Sequence, residues 1–486
     1  MIELLPTEKY EPVIGLEVHA QLKTNTKIFC SCSTGYPAPP NSNVCPVCLG
    51  HPGVLPVLNE SAVEFAIKLG IALNSRVNLR SIFARKNYFY PDLPKGYQIS
   101  QFSLPVVGEG ELEITLEDGT KKKIGVTRAH LEEDAGKSIH DRGDSTLVDL
   151  NRSGVPLLEI VSHPDIRSGA EAASYLRTLR QILLYLDICD GNMEEGSLRC
   201  DANISVRLRG ETRFGTKTEV KNMNSFKNVE KAINFEIARQ IDLLEEGREV
   251  VQQTLLWNAD KGTASPMRSK EDSHDYRYFP DPDLPPLEIS NEWFEKIKSE
   301  MPELPARKVE RYTNEFGLPP YDAGVLTQQP ETSRYFEEAA GFTSARKELS
   351  NLIMTEVLKV ANEKKISLAE FAIEPKRLAK LVDLITSGVI SGKIAKDVFA
   401  IMLSDESEPE EIVKREGLSQ ISDSDELEKI ITSILNDNPA QVAEYLAGKE
   451  KILGFFVGQV MKQTKGKANP ATVNSLLLSL LKRSSG

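Results

Sequence analysis

The strongest constraint on this chain is a segment near its start that alternates strictly between apolar and polar side chains. Residues 15–22 divide into two sets, which are Leu16, Val18, Ala20 and Leu22 on the one hand and Glu17, His19 and Gln21 on the other. A period of two is that of a β-strand, because successive side chains point to opposite faces of a sheet. The pattern therefore predicts a strand with one apolar face and one face that places a carboxylate beside an imidazole.

The same layout recurs in residues 198–208. There the polar row is Arg199, Asp201, Asn203, Ser205 and Arg207, and it opposes Leu198, Cys200, Ala202, Ile204 and Val206. A strand at a solvent-facing edge can carry similar rows, and that interpretation stays open for residues 15–22. The recurrence of ionisable rows nevertheless favours a working polar face.

Two further predicted strands contribute carboxylates. In residues 124–132, His130 and Glu132 share one face with Arg128, whereas Glu133 falls on the other. Residues 155–161 are apolar except for Glu159. A carboxylate in such a run must be paired, protonated or bound to a metal, because a bare buried charge is costly.

These acidic side chains suit a magnesium site. Mg²⁺ binds through a few hard oxygens and keeps waters and nucleotide phosphates, and it neutralises charge during phosphoryl transfer. Candidate ligands are Glu17, Glu132 and Glu159, with His19 beside them. The alternative is that Glu132 and Glu159 only form ion pairs, for which the candidate partners are Arg128, Arg152 and Lys137.

The sequence lacks a P-loop, the motif that most often indicates nucleotide binding. Residues 135–138 read Ala-Gly-Lys-Ser, but Leu131 stands where a P-loop requires its leading glycine. If ATP binds, we expect it to lie on a sheet.

Four of the six cysteines crowd into one short segment. Cys30 and Cys32 are followed by Cys45 and Cys48, a spacing typical of paired thiolate knuckles around a tetrahedral zinc ion. Four protein ligands leave no position for a water, so the predicted zinc is structural. The alternative is a set of free thiols.

Residues 85–101 combine cations, aromatic rings and turn formers. This mixture predicts an ordered surface loop in which aromatic faces and lysines stack on a nucleotide or on a nucleic-acid end. An ordinary packed loop is the alternative.

The organisation of the chain predicts an α+β protein of several domains. Residues 1–292 are mostly strand-like with a few helices, residues 293–404 read as amphipathic helices, and residues 405–486 follow an acidic stretch and end in a basic tail. The formal charge of −12 confines any nucleic-acid contact to such a local basic patch. There is no apolar run of membrane-spanning length and no secretory leader, so we expect a cytoplasmic protein without a membrane partner.

Several segments together resemble the B subunit of the aspartyl/glutamyl-tRNA amidotransferases, the GatB family. They are residues 14–19 (IGLEVH), the four-cysteine segment, 85–97 (RKNYFYPDLPKGY), 130–137 (HLEEDAGK), 149–156 (DLNRSGVP), 196–203 (GSLRCDAN) and 217–225 (KTEVKNMNS). Residues 455–470 (FFVGQVMKQTKGKANP) are similar to the YqeY-like tail of that family.

The resemblance implies a fold and an activity. The fold is a catalytic cradle similar to glutamine synthetase and guanido kinases, followed by an all-α helical domain and a small α-helical tail that contacts tRNA. The activity is ATP-dependent phosphorylation of the side-chain carboxylate of Glu-tRNA(Gln) or Asp-tRNA(Asn), then amidation. Ammonia would come from the amidase (A) subunit of a heterotrimer whose third member is the small (C) subunit.

The resemblance also implies roles for individual residues. His19, Glu132 and Glu159 match the magnesium ligands, and Lys86 with Glu132 matches the gate for ammonia. The predicted nucleotide-contacting residues are His19, Glu17, Arg199, Asp201 and Asn203, and the predicted tRNA-contacting residues are Lys462, Lys465 and Lys467. A rival hypothesis is a zinc-stabilised tRNA-binding scaffold in which the carboxylates are structural.

Overall fold

The computed structural model describes residues 6–140, 145–267, 276–419, 424–464 and 467–483. They form a mixed α+β protein, as predicted, in two compact units that divide between Leu304 and Pro305. The described strands all lie in the first unit, and the described part of the second unit is built from helices.

The strands that the structure describes are short except for three. In chain order they are β1 Tyr10–Gln21, β2 Arg80–Ser81, β3 Ala84–Asn87, β4 Tyr97–Ser100, β5 Gly110–Thr115, β6 Lys121–Glu133, β7 Lys137–Ile139, β8 Leu147–Asp149, β9 Pro156–Ser162, β10 Leu198–Leu208, β11 Thr218–Lys221, β12 Thr254–Asn258, β13 Thr263–Pro266, β14 Phe279–Pro280 and β15 Leu287–Glu288. The long strands β1, β6 and β10 are those in which alternation was predicted.

Eight strands form the main sheet, in the order β13-β12-β11-β10-β1-β9-β6-β5. Within it β11 and β12 run parallel and the other neighbours run antiparallel. Strands β1, β9 and β6 are therefore adjacent although long stretches of chain separate them. Three smaller sheets pair β14-β3-β4, β15-β2 and β7-β8.

The structure describes five helices in the first unit. They are α1 Pro6–Lys9, α2 Glu60–Ala72, α3 Gly169–Tyr185, α4 Phe226–Glu245 and α5 Asn291–Ser299. Leu16, Val18 and Ala20 of β1 are buried in one core with side chains of α2, α3 and α4. Burial of this face leaves the alternate side chains of β1 on the opposite, polar face.

The helix starts follow from local chemistry. Ser225 accepts a hydrogen bond from the backbone N–H of Asn228, and Ser168 accepts one from Glu171, so both serines cap orphan donors of the first turn. Helix α4 therefore begins directly after Ser225.

The first unit extends to Leu304, beyond residue 292, the predicted end of the first domain. Helix α5 follows residue 290, and its Ile297 is buried in the core of the first unit. Pairing of β15 with β2 also ties residues 287–288 to that unit. The hydrophobic pattern of the sequence therefore becomes helical at α5, which is the last helix of the first unit.

Many of the helices that the structure describes in the second unit begin at a proline. The described helices are α6 Pro305–Asn314, α7 Pro320–Leu326, α8 Pro330–Ala340, α9 Arg346–Leu352, α10 Leu358–Lys364, α11 Pro375–Thr386, α12 Gly392–Met402, α13 Pro409–Arg415, α14 Ser424–Asp437, α15 Pro439–Leu446, α16 Leu453–Gln463 and α17 Pro470–Arg483. Proline suits the first helical position because its fixed φ matches the helix and its missing N–H has no partner there. One hydrophobic cluster spans residues 312–413, and another spans residues 427–481.

The acidic stretch after residue 404 is partly helical. Ile412 and Val413 of α13 are buried in the first of these clusters. Among the described residues, no helix is long and apolar enough to span a membrane.

Candidate active site and metal centre

A row of ionisable side chains crosses the polar face of the main sheet. By strand register, Arg199 of β10 lies opposite His19 of β1, His19 lies opposite Glu159 of β9, and Glu159 lies opposite His130 of β6. Side chains at directly opposed positions are close neighbours on one face. The row thus joins four residues that the sequence holds far apart.

Glu132 completes a compact cluster with three members of this row. Nε2 of His19 lies 3.4 Å from a Glu159 oxygen and 3.9 Å from a Glu132 oxygen. Nε2 of His130 lies 3.5 Å from Glu159 and 3.7 Å from Glu132. We call His19, His130, Glu132 and Glu159 the acid centre. Its four members lie on three strands, β1, β6 and β9.

Three of these side chains are placed to hold a metal ion. Ligand atoms of His19, Glu132 and Glu159 lie within 4.8 Å of one another. Two carboxylates and an imidazole form a donor set that fits a hard divalent cation. The alternative partners Arg128, Arg152 and Lys137 are not needed to explain the burial of Glu159, because two imidazoles adjoin it.

The cluster shifts the protonation of its own members. Burial would lower the pKa of His130, but the neighbouring Glu132 and Glu159 carboxylates raise it to about 9. Burial would raise the pKa of Glu159, but hydrogen bonding to His130 and His19 holds it far below its usual range. A cation entering this site competes with protons for the same ligands.

The pleat separates Glu132 from Glu133. Glu132 points to the acid centre, whereas both oxygens of Glu133 accept from the Lys95 ammonium and one accepts from the Ile99 backbone N–H at 2.8 Å. Glu133 is therefore engaged on the opposite face, and the geometry favours Glu132 as the ligand.

The other predicted nucleotide-contacting residues lie on the same face. Asn203 donates to Glu17 at 2.8 Å, and Lys221 donates to Asp201 at 2.6 Å. Burial, together with the charges of Glu159 and Glu219, raises the pKa of Glu17. Arg199 donates to Asp134 at 2.8 Å, so it is held beside His19.

A cleft of about 280 Å³ opens next to Glu17. It is lined by parts of β1, β9 and β10, together with Phe214 and Lys217. The cleft lies close to His19, since Glu17 and His19 are successive residues on the polar face of β1.

Lys86 of β3 approaches the acid centre from outside the main sheet. Burial would lower the pKa of its ammonium, but the negative charge of Glu132 and, more weakly, that of Glu159 raise it. The Lys86 ammonium lies 4.8 Å from the centre of the Tyr276 ring. Lys86 therefore interacts both with the carboxylates and with an aromatic ring.

The four predicted zinc ligands converge in the loop after β1. Sulfur atoms of Cys30, Cys32, Cys45 and Cys48 lie within 4.8 Å of one another. A hydrogen bond from the Cys30 thiol holds the pKa of the Cys48 thiol well below its usual range. Four converging sulfurs fit a tetrahedral structural metal such as zinc.

The cysteine loop is fastened to the segment that leads into β9. Asn41 donates to the carbonyl of Val148 at 3.0 Å and accepts from the N–H of Leu150 at 2.8 Å. The buried Lys27 ammonium lies 3.6 Å from the Cys48 sulfur and 3.2 Å from the carbonyl oxygen of Leu150. The loop therefore supports the chain just before the strand that carries one of the carboxylates of the acid centre.

The predicted tRNA-contacting lysines lie in and after α16. Lys462 is exposed, and Lys467 donates to the carbonyl of Gly417 at 2.5 Å. Lys465 lies outside the described residues.

Known protein families match most of the chain. Residues 12–295 match the GatB/GatE catalytic domain, and residues 334–481 match a second domain described as the GatB domain. The chain belongs to the GatB family. The first match includes the acid centre and all four clustered cysteines.

Full-length relatives of the GatB family support the same assignment. A protein from Thermodesulfovibrio yellowstonii is 56% identical over 474 residues, which cover 98% of this chain and 100% of that protein. Relatives from Chlorobium chlorochromatii and Geobacter sulfurreducens are each 57% identical, cover 97% of this chain and are themselves covered to 99%. All three are named as the B subunit of the aspartyl/glutamyl-tRNA(Asn/Gln) amidotransferase.

Two residues of the site were absent from the predicted set. Alternation placed His130 on the same strand face as Glu132. That shared face is the signal by which His130 could have been included among the predicted site residues. Asp134 is buried and accepts from Gln21 and Arg199, each at 2.8 Å. Its anchoring role depends on contacts between strands, for which the sequence carries no local sign.

Proposed function

We propose that this chain uses ATP to activate the side-chain carboxylate of Glu-tRNA(Gln), Asp-tRNA(Asn) or both, and then catalyses amidation of that carboxylate. The observation that carries the proposal is the meeting of His19, Glu132 and Glu159 from three strands at one point of a polar sheet face. The names of the relatives supply the substrate class.

His19, Glu132 and Glu159 would hold Mg²⁺, with Glu17 as a neighbour. Bound there with ATP, Mg²⁺ would neutralise charge on the phosphoryl group in transit. The cleft beside Glu17 suits the nucleoside part of ATP because it combines an exposed aromatic ring, Phe214, with the carboxamide of Asn203. Arg199 and Asp201 border the same face.

The chemistry requires activation before amidation, because an oxide is a poor leaving group. A carboxylate oxygen of the substrate attacks the terminal phosphorus of ATP, the bond to ADP breaks, and an acyl phosphate forms. Ammonia then attacks the acyl carbon, phosphate leaves with the bonding electrons, and one proton is lost. The Lys86 ammonium interacts with the charges of Glu132 and Glu159, and it would stabilise negative charge there and meet the incoming ammonia.

Ammonia would come from the amidase (A) subunit, while the small (C) subunit would be the third member of the complex. The two cysteines outside the cluster, Cys189 and Cys200, are buried, and burial raises the pKa of the Cys189 thiol to about 12. Such thiols are poor nucleophiles. This supports a separate glutaminase.

We further propose a domain organisation for this activity. Residues 1–292 would form the catalytic cradle, similar to glutamine synthetase and guanido kinases, with Zn²⁺ held by Cys30, Cys32, Cys45 and Cys48. Residues 293–404 would form the helical domain, and residues 405–486 the YqeY-like tail that contacts tRNA through Lys462, Lys465 and Lys467. The separate hydrophobic clusters of the second unit support a division there, although Ile412 and Val413 of α13 belong to the first cluster.

The proposal is tested by Glu159→Gln in the assembled complex. We expect ATP cleavage stimulated by mischarged tRNA to fall at least about a hundredfold, because the neutral amide removes a charged ligand. Affinity for the tRNA should stay within about twofold, since Glu159 is not a tRNA-contacting residue. Both quantities are measured on the same preparation, by phosphate release and by filter binding.

Glu113→Gln is the matched control, because Glu113 is a surface carboxylate on β5 paired with Lys121. It should leave both quantities unchanged. If Glu159→Gln cleaves ATP at the normal rate, the acid centre is structural and the tRNA-binding scaffold becomes the better explanation.

A further inference from the structure

A continuous row of aromatic rings lies beside the acid centre. Tyr90, Tyr88, Tyr276, Tyr278 and Phe102 follow one another, and we call them the aromatic wall. Ring centres are 6.1 Å apart between Tyr90 and Tyr88, 6.0 Å between Tyr88 and Tyr276, and 6.2 Å between Tyr276 and Tyr278. The last pair, Tyr278 and Phe102, stack with centres 4.3 Å apart and planes 14° apart.

The wall is assembled from two distant parts of the chain. Its first two residues belong to the loop predicted from residues 85–101, whereas Tyr276 and Tyr278 come from the segment before β14. Pairing of β14 with β3 brings these parts together. The sequence pattern therefore showed only part of this surface.

Lys86 connects the wall to the acid centre. Its ammonium lies 4.8 Å from the Tyr276 ring and 5.8 Å from the Tyr88 ring, while its charge interacts with Glu132 and Glu159. The Tyr278 hydroxyl lies in the field of the same two carboxylates. A molecule that binds on the wall would thus pass the Lys86 ammonium on its way to the carboxylates of the acid centre.

The outer rings are exposed to an extent unusual for a packed loop. Phe102 is 51% exposed and Tyr90 is 49% exposed, so each presents much of its ring to solvent. Since Phe102 already stacks on Tyr278, a further flat ring can extend the stack on its exposed side. Unpaired bases stack on aromatic side chains in this manner, with cations nearby for the phosphates.

We propose that the aromatic wall binds the unpaired 3′ end of the aminoacyl-tRNA, with a base stacked on Phe102, and so directs the esterified amino acid past Lys86 to Glu159. This deepens the proposed function, on which it rests. The adenine of ATP is assigned elsewhere, to the cleft beside Glu17. On the polar face of the sheet, His19 and Glu159 lie between Glu17 on one side and Glu132 on the other. Among the carboxylates, Glu132 interacts most strongly with the charge of Lys86.

Phe102→Leu tests this proposal in the full complex. The probe is a tRNA whose 3′-terminal base is replaced by 2-aminopurine, whose fluorescence is quenched by stacking. We expect the wild-type protein to quench the probe and Phe102→Leu to lose most of that quenching. The KM for natural mischarged tRNA should rise about tenfold, consistent with loss of one stacked base, while the KM for ATP is unchanged.

Two further variants separate stacking from folding. Phe102→Trp keeps a flat ring and should restore quenching. Phe342→Leu removes a phenylalanine with the same 51% exposure in the second unit and should change nothing.

Three outcomes would overturn the proposal. They are equal quenching by wild type and Phe102→Leu, an effect of Phe102→Leu on the KM for ATP alone, and no quenching by a wild-type complex that cleaves ATP normally. Because quenching is read without ATP, failure of the kinase chemistry in Glu159→Gln would be seen separately.

Discussion

Lys27 shows how a single buried charge depends on its surroundings. Its side chain is almost wholly buried, and its ammonium contacts the Cys48 sulfur and the Leu150 carbonyl. Removing an ammonium from water costs several kcal/mol unless an opposite charge compensates. Four thiolates around a divalent ion carry a net charge of −2, so Lys27 fits the metal-loaded cluster as its counter-charge.

This pairing predicts that the effect of Lys27→Met depends on the metal. With zinc bound, the variant should lose about 3–5 kcal/mol of stability, because the cluster charge then lacks its partner. After chelation, the cost should be smaller or reversed, since the buried ammonium itself is then poorly compensated. Thermal unfolding of both proteins, with and without a chelator, measures the difference.

Lys23→Met provides the comparison, because Lys23 is a nearby surface lysine paired with the exposed Asp187. Equal losses for Lys27→Met in loaded and chelated protein would show that Lys27 acts by packing alone. Chelation should also lower the unfolding temperature of the wild type, since metal bound only to the folded state stabilises it.

At the scale of elements, one carboxylate joins two helices of the second unit. Glu337 of α8 accepts hydrogen bonds from three side chains of α6, which are Lys308, Arg311 and Tyr312. Burial would raise the pKa of Glu337, but these donors bring it below its usual range. A carboxylate with a lowered pKa stabilises the folded state while it is ionised.

The sign of the pH effect follows from that shift. The contribution of Glu337 is fully present above the pKa of an unfolded glutamate, about 4.3, and is lost as the pH falls towards the lower folded value. Protection of α6 and α8 amides against hydrogen exchange should therefore fall by about 1–2 kcal/mol as the pH is lowered from about 6 to below about 4.

Glu337→Gln should reduce this protection at the upper end of that range and abolish its dependence on pH. Glu338→Gln alters the adjacent exposed carboxylate and should retain the wild-type profile. An unchanged pH profile in Glu337→Gln would assign the coupling of α6 and α8 to other contacts.

At the scale of the whole molecule, a net charge of −12 is combined with a basic C-terminal tail. Nucleic-acid affinity comes largely from cations that neutralise phosphates. An acidic protein that binds tRNA must therefore concentrate those cations. Helices α14, α16 and α17 share a hydrophobic cluster, so deleting residues 441–486 to remove the basic tail would also expose the apolar face of α14.

Charge substitution is therefore a sharper test of the tail than truncation. Lys462→Gln with Lys465→Gln should weaken tRNA binding, and the slope of log affinity against log salt should become shallower by about 1–2, as lost phosphate contacts require. Lys364→Gln, which alters an exposed lysine at the end of α10, is the control. A salt slope equal to that of the wild type would remove these lysines from tRNA recognition.

Local periodicity was sufficient to predict the main strands that carry the site. Strand β10 occupies residues 198–208, as its alternation indicated. Cysteine spacing likewise indicated which four sulfurs would converge. These features depend on neighbours a few residues apart, so the sequence displays them directly.

Tertiary structure alone decided which strands lie side by side. The insertion of β1 between β9 and β10, and of β9 between β1 and β6, makes His19, Glu159 and His130 a single row. The approach of residues 276–278 to residue 86, and the burial of Lys27 against Cys48, are equally long-range. Strand order and register follow from burial of one apolar face over the entire sheet, a property of the assembled chain that no local pattern contains.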